Sequence, residues 1–488
     1  MTQPRSRRPY GTGQGIAESF EAWWARDNDP AQFIQNGIVA LDASTLLHMY
    51  RVTPATRDQV LGLFRELRER IWIPHQAALE FHRNRTSVVT TRTGQFRETR
   101  RILEQSGSNA AAELQKAIDK LVTLRQANMT RRDWEPSTHG LTLEDFKRRL
   151  RGVMDPALLE LRELESEHDL GPADMQAQDR VLTALDEITQ GRIGPTYSQS
   201  QIAELVREAM EFRYPNRIPP GYEDAAKKST PYLAAGDYIL WRQLIDFASE
   251  NLHRRPVTLI TVDAKEDWWV LDNRRRPETA RPELRQEFYD NTSSKLMLMT
   301  LSDFLAAVES RLPGRVSPET VEEVRSSEVK VDTADKLKEI LGSDPRALPE
   351  KPDLLALPIS KFESLVVLLL QAMQIGDVVR IANSGFDMVL VYHQNSDDTT
   401  LVQIKRYSRV VGTEPIFALI GAMDAAGANR GKFITTSRFT SHARLNATSS
   451  GIELIEGQDL LRLLQIYLGV DAVISVDRLA EEDQEKPY

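Results

Sequence analysis

The stretch GIVALDASTLLHMY, residues 37–50, decides the architecture of the first half of the chain. Ile38 to Leu41 is a short unbroken apolar run, the pattern of a strand buried on both faces. Asp42 ends that run, and Ser44 and Thr45 follow as polar residues suited to starting a helix. Two more stretches repeat the arrangement. RIWIP, residues 70–74, precedes the helical HQAALEFHRNR, and PVTLITVD, residues 256–263, follows the helical GDYILWRQLIDFASENL. Strands that alternate with helices predict a parallel sheet covered on both faces, and such sheets bind ligands at the carboxyl ends of their strands.

Four acids fall at that edge. Asp42 ends the first strand, Glu80 lies on the element after the second, Asp237 starts a helix, and Asp263 ends the third strand. Neighbouring carboxylates hold Mg²⁺ or Mn²⁺ through oxygen, and without a cation their like charges repel. A hard cation so held serves phosphodiester chemistry by lowering the pKa of a water and stabilising a charged transition state. Taken singly, each acid also has an ordinary reading: Asp42 and Asp237 as helix N-caps, Asp263 as a turn residue, Glu80 as a surface carboxylate. His75 and His82 flank Glu80, but no HExxH spacing or further ligand cluster supports zinc.

The chain of 488 residues has room for two or three domains, and 41% hydrophobic with 27% charged residues describes a globular protein. It has no cysteine, which excludes disulfides, thiolate metal sites and cysteine nucleophiles. The N-terminal MTQPRSRRPYGTGQG is basic but lacks a following apolar region, and the longest apolar run, SLVVLLLQAM, is too short to span a bilayer. A cytoplasmic protein without membrane contact is the expectation. The net charge of −9 gives no global sign of a polyanion partner, so contact with DNA or RNA must come from local basic patches.

Composition divides the chain further. A polar segment occupies 1–32, an α/β domain 33–312 with a helical insertion at about 86–191, an acidic linker 313–355 with one helix, a second α/β domain 356–470, and a tail 471–488. The insertion opens with RNRTSVVTTRTGQFRETRR, residues 83–101, whose arginines are suited either to phosphates or to a solvated helix face.

The second domain turns on TTLVQIKRYSRV, residues 399–410. Alternation places Leu401, Gln403, Lys405 and Tyr407 on one face and Val402, Ile404 and Arg406 on the other. An edge strand blunted by lysine gives such a face, and so does half an active site. A hairpin from the preceding strand brings Asp387 toward Lys405, and Glu363 on the apolar helix approaches the same end of the sheet. Asp387 then supplies a carboxylate for a divalent cation, Gln403 an amide oxygen, and Lys405 a cation that stabilises a pentacovalent phosphorane. A structural ion pair between Lys405 and Asp387 is the competing reading. Arg406, Arg409, Arg430, Lys432, Arg438 and Arg444 join Lys405 as a basic set suited to a phosphate backbone or to solvent.

VALDASTLLHMYRVTPATR, RIWIPHQAALEFHRNR, IPPGYEDAAKK, GDYILWRQLIDFA and TVDAKEDWW, in that order between Ile38 and Leu312, resemble the PIN-like family of bacterial proteins with a long helical insertion. The resemblance implies a metal-dependent nuclease with Asp42, Glu80, Asp237 and Asp263 as metal ligands. Asp224, with Lys227 and Lys228 as phosphate contacts, and Asp267 are secondary candidates, while Trp268 and Trp269 read as core anchors. FESLVVLLLQAM, GFDMVLV, LVQIKRYSRVVGTEPIFALIGAM, GKFITTSRFTSHARLNA and GIELIEGQDLLRLL, from about Leu357 to Leu468, resemble Mrr-type restriction endonucleases of the PD-(D/E)xK superfamily. That resemblance implies Asp387, Gln403, Lys405 and Glu363 as catalytic residues, with Asp387 also binding metal. NSGFD departs from the glycine-rich approach of that family and implies a trimmed sheet.

Together the two resemblances imply a PIN-like parallel sheet sandwiched by helices plus a C-terminal restriction-endonuclease-like α/β domain. The expected activity is phosphodiester hydrolysis with Mg²⁺ or Mn²⁺ on DNA, RNA or both, in defence against foreign nucleic acid; a homo-oligomer is left open. A toxin-like ribonuclease with a DNA-binding C-terminal domain, or a non-catalytic sensor or scaffold, are the alternatives.

Overall fold

Ile38–Leu41 forms β1, one of the two central strands of a four-stranded sheet, in a computed structural model that describes residues 30–127, 142–251, 255–272, 276–342, 351–373, 377–380, 388–392 and 399–475, with Gly15, Phe20 and Trp23. Its neighbours are β2 (Ile71–Trp72) and β3 (Val257–Ile260), and β4 (Leu296–Met299) lies beyond β3; the order is β2-β1-β3-β4 and every pairing is parallel. All four residues of β1, β3 and β4 are buried, as an apolar strand covered on both faces requires. Register is direct: Leu41 stands opposite Ile260, and Ile260 opposite Met299, so the strand ends come level.

Helix α1 (Ala43–His48) follows β1, and α2 (His75–Ala127) follows β2. The insertion is no separate unit at its start, because α2 runs unbroken for 53 residues and carries Glu80 in its first turns. Helix α3 (Leu143–Ser166) packs back along it. The arginines of residues 83–101 fix this arm. Arg85 donates to Asp179, which also accepts from the Tyr50 hydroxyl at 2.7 Å; Arg92 donates to the carbonyls of Tyr50 and Leu170; Arg100 pairs with Glu165 and Arg101 with Glu98. Arg85, Arg92 and Arg100 are thus engaged by other segments of the protein, whereas Arg101 pairs along its own helix on an exposed face. Helix α4 (Gly236–Asn251) completes the cover near β2, where Phe247 stacks on Trp72 with centroids 4.1 Å apart.

The chain divides into two compact units, residues 1–270 with 279–327, and residues 271–278 with 328–488. The segment expected as a linker contains α5 (Pro318–Leu341), whose Leu337 and Ile340 belong to the core of the second unit.

That unit is built on a five-stranded sheet of β5 (Asp377–Arg380), β6 (Met388–Tyr392), β7 (Thr399–Lys405), β8 (Arg430–Thr435) and β9 (Ile452–Ile455), ordered β9-β8-β7-β6-β5. β7 is central, antiparallel to β6 and parallel to β8. Its alternation divides two cores. Val402 and Ile404 pack with α6 (Ile359–Ala372) through Phe362, Leu365 and Leu369, whereas Leu401 packs with α7 (Glu414–Ala426) and α8 (Ser441–Ser449) through Ile416, Leu419 and Ala443. Burial of such side chains contributes roughly 1.5–3 kcal/mol each, which pins the register and hence the polar residues that share it. Helix α9 (Gly457–Leu463) closes the sheet after β9. Among the described residues no helix is long and apolar enough to cross a membrane.

Candidate active sites

At the carboxyl ends of β1 and β3 the backbone and two hydroxyls lock the first acid in place. Asp42 N-caps α1, accepting from Ala43 N at 2.6 Å, so the capping role read from its position holds. Its other oxygen accepts from Ser44 Oγ at 2.6 Å and from Thr261 Oγ1 at 2.9 Å, so the cap leaves a carboxylate aimed at the sheet edge. Glu80 is brought in by α2. Gln76 N donates to Gln243 Oε1 of α4 at 2.9 Å, Gln76 Nε2 donates to Glu80 at 2.7 Å, and Gly236 gives the space, since a Cβ there would stand 2.6 Å from Glu80 Oε1. Asp237 follows that glycine and accepts from the indole of Trp268 at 3.2 Å. Trp268 is therefore an orienting partner as well as a core residue. Asp263 lies in the turn three residues beyond the end of β3, its N–H held by Thr261 Oγ1 at 3.1 Å.

The residue that binds this set together is Lys265. Its ammonium lies 2.8 Å from Asp263, 3.2 Å from Asp224 and 3.3 Å from Asp237. Among the described residues no three Asp, Glu or His side chains are drawn together tightly enough to hold an ion; the lysine stands among the acids instead. Asp224 is buried and belongs to the set, with Lys228 3.7 Å away. Lys227 pairs with Glu223. Asp267 acts one step back from the cage. Its Oδ2 accepts from Gly221 N at 2.8 Å and Glu223 N at 3.2 Å, fixing the loop that presents Asp224. Gly221 is required there, with φ +96° and the Tyr214 hydroxyl 2.5 Å from where a Cβ would be. His82 is exposed, and neither histidine joins a ligand group among the described residues.

Crowding shows in the protonation equilibria. Burial, then the Asp237 charge, pushes Glu80 up to about 7, and burial raises Asp263 to about 6 even against the pull of Lys265. Burial raises Asp42 as well, with Asp237 adding to it. Asp237 is also buried, which opposes its charge, yet Lys265 and the Trp268 indole hold it below the usual carboxylate range. Burial opposes the Lys265 charge too, and Asp237, Asp263 and Asp224 together outweigh it.

In the second unit β7 delivers Gln403 and Lys405 two residues apart. Gln403 is opposite Met388 on β6 and Phe433 on β8, and Lys405 is opposite Thr435. Gln403 is buried, and its Oε1 has no hydrogen-bond partner among the described residues. An orphaned buried acceptor costs about 1–3 kcal/mol. Lys405 and Glu363 are half-buried, and Arg406 donates to the carbonyl of Leu355, which holds the approach to α6 at the end of β7. Asp387 lies outside the described residues, next to Met388. Of the basic set, Lys432 pairs with Glu453 at 2.8 Å and Arg444 with Glu456 at 2.6 Å, so these two are structural partners.

Comparison with known proteins finds a match for each half. Residues 38–284, slightly more than half of the chain, match the PIN like domain family. The chain belongs to the PIN-like family. Its residues 354–464 match the restriction endonuclease family that includes the catalytic domain of Mrr. Over 120 residues it is 35% identical to the type IV methyl-directed restriction enzyme EcoKMrr of Escherichia coli strain K12, spanning 23% of this chain and 40% of that relative's length. The DNA modification-dependent restriction endonuclease AspBHI aligns over 51% of this chain and 75% of its own, at 14% identity and a TM-score of 0.21, too low to carry an argument.

Within the PIN-like domain the sequence reading missed Lys265, Ser44 and Thr261 as members of the site. Lys265 had a signal: it sits in DAKED, two residues from one member acid and flanked by others.

Proposed function

We propose that the protein is a nuclease with two phosphodiester-hydrolysing sites, one in the PIN-like domain and one in the restriction endonuclease domain, each dependent on Mg²⁺ or Mn²⁺. The observation that carries this reading is the convergence of Asp224, Asp237 and Asp263, from three separate segments, around the Lys265 ammonium, at the carboxyl edge of a parallel sheet where Thr261 also holds Asp42. The donor set suits a hard ion, being all oxygen, and the neighbouring Glu80 lies against Gly236, where a Cβ would stand 2.6 Å from its Oε1.

Asp42, Glu80, Asp237 and Asp263 would hold the ion in the PIN-like site, where it supplies a water of lowered pKa and neutralises charge on the phosphate. Ser44 and Thr261 orient Asp42, and Trp268 orients Asp237. In the second site Asp387 would hold the ion, the unpartnered Gln403 oxygen fits the role of a weaker donor, and Lys405 stabilises charge on the pentacovalent phosphorane. Glu363 is the helix-borne acid of that site.

DNA is the substrate we infer for the second site, with DNA or RNA for the first. The methyl-directed activity in the name of EcoKMrr makes modified DNA the first candidate, and it favours a role in defence against foreign nucleic acid. The test is incubation of the purified protein with labelled DNA, methylated DNA and RNA in Mg²⁺, Mn²⁺ or EDTA. Metal-dependent cleavage is expected; binding without cleavage under every condition would make the protein a sensor or scaffold.

A further inference from the structure

The ammonium of Lys265 lies 2.8–3.3 Å from carboxylate oxygens of Asp224, Asp237 and Asp263, the last two being among the acids proposed above to hold a divalent ion. Metal–oxygen distances are shorter, about 2.0–2.1 Å for Mg²⁺. The acids must therefore close by about 1 Å for an ion to bind, and the same oxygens cannot serve both cations. Lysine suits the exchange: its charge sits on a flexible four-carbon stem, and its side chain, 24% exposed, has a route to solvent. Asp237 also accepts from the Trp268 indole, and Asp42 from the Ser44 and Thr261 hydroxyls, contacts that do not involve the ammonium. Without any cation, four or five carboxylates at one edge would repel one another.

We propose that Lys265 is a built-in counter-cation of the PIN-like site, displaced when the divalent ion binds, so that the ion must compete with it and the lysine sets the metal concentration at which the site loads. The displaced ammonium becomes available at the mouth of the site, where a substrate phosphate would arrive. The inference rests on the metal-holding reading of these acids.

Two measurements on the full chain test it. In the first, the protein is treated briefly with an amine-acylating reagent with and without Mn²⁺, and the Lys265 peptide is quantified by mass spectrometry against the exposed Lys147. Lys265 should be protected without metal and labelled several-fold faster with Mn²⁺; equal or slower labelling in protein shown to bind Mn²⁺ would overturn the proposal. In the second, Mn²⁺ affinity is compared between the parent chain and Lys265→Met, both in an Asp387→Asn background. Removing the internal competitor should tighten binding by about tenfold or more, whereas unchanged or weaker affinity would contradict displacement. The labelling experiment needs no variant and decides even if Lys265→Met fails to fold. A further control separates the two claims: Mn²⁺ binding in the Asp387→Asn background that Asp237→Asn leaves unaltered would remove the metal reading of the site, and the role of Lys265 with it.

Discussion

The candidate site of the PIN-like domain and that of the second unit are assembled by opposite routes. The first collects Asp42, Glu80, Asp224, Asp237 and Asp263 from five segments spread over 222 positions, and only the parallel sheet and the helices around it bring them together. The second carries Gln403 and Lys405 on one seven-residue strand, where simple alternation decides their common face. The first neutralises its charge in a cage around Lys265, whereas the second holds a buried, neutral amide oxygen on Gln403 that has no hydrogen-bond partner among the described residues. A site assembled over long range depends on the whole fold and tolerates changes at single orienting contacts. One written into a strand depends on register, and a slip of one residue would turn Gln403 and Lys405 to the other face.

The largest expected effect lies in the cage. Asp237→Asn should reduce the cleavage due to the PIN-like site by about 10³-fold or more, because ion binding and charge stabilisation are lost together. Thermal unfolding should show the variant folded, and undiminished PIN-site cleavage in that folded protein would break the comparison. Next is Lys405→Ala in an Asp237→Asn background, which should lower the remaining cleavage by ~10²–10⁴-fold with DNA affinity little changed. A drop in unfolding temperature with activity falling only as the folded fraction falls would make Lys405 a structural ion-pair partner. Gln403→Met sharpens the same point. It should lower cleavage while leaving stability equal or higher, since it removes an acceptor whose burial costs about 1–3 kcal/mol; a marked loss of stability would mean that the amide is structural.

The contrast also explains what could be read without the structure. β1 and β3 were legible because each apolar run ends in an aspartate, and β2 because its run stops at Pro74 before a helical pattern; β4, LMLM, was not read as a strand although Thr300 ends it and caps the following helix. The polar face of β7 was legible from period-two alternation alone. Lys265 was not, because a search for metal ligands passes over a lysine, and its role appears only when Asp224 and Asp237 fold against it. Asp267, a secondary candidate in the sequence, has Oδ2 taken by the Gly221 and Glu223 amides, while its buried Oδ1 has no hydrogen-bond partner among the described residues. The arginine-rich start of the insertion left a phosphate contact and a solvated helix face both open, because nothing local reveals Asp179 or the Leu170 carbonyl as partners more than seventy residues away.

Smaller effects concern stability. A fragment of residues 328–488 should fold alone and outlast one of residues 353–488, because the shorter piece loses Leu337 and Ile340 from the core. The cost is roughly 3 kcal/mol or more, readable as a lower urea midpoint; equal midpoints would show that α5 contributes nothing to this unit. His48, fully buried on α1 with neither ring nitrogen hydrogen-bonded, has its pKa pressed down to about 3 by burial, with the Arg51 charge adding to it. The unfolded chain takes up that proton near pH 6.5 and the folded one does not, so stability falls as pH drops from about 6.5 toward 3, by at most ~1.4 kcal/mol per unit. Urea unfolding at pH 7 and pH 5 should show His48→Met losing less than the parent; an identical loss would contradict the assignment.

The most direct test of two independent metal-dependent sites is cleavage of one set of labelled DNA and RNA substrates by the parent, Asp237→Asn, Lys405→Ala and the double variant, each with Mn²⁺ and with EDTA. Each single variant should lose one part of the parent's cleavage and keep the other, and the double variant and all EDTA samples should be inert. Parent-like cleavage by the folded double variant, or cleavage that persists in EDTA, would contradict the account.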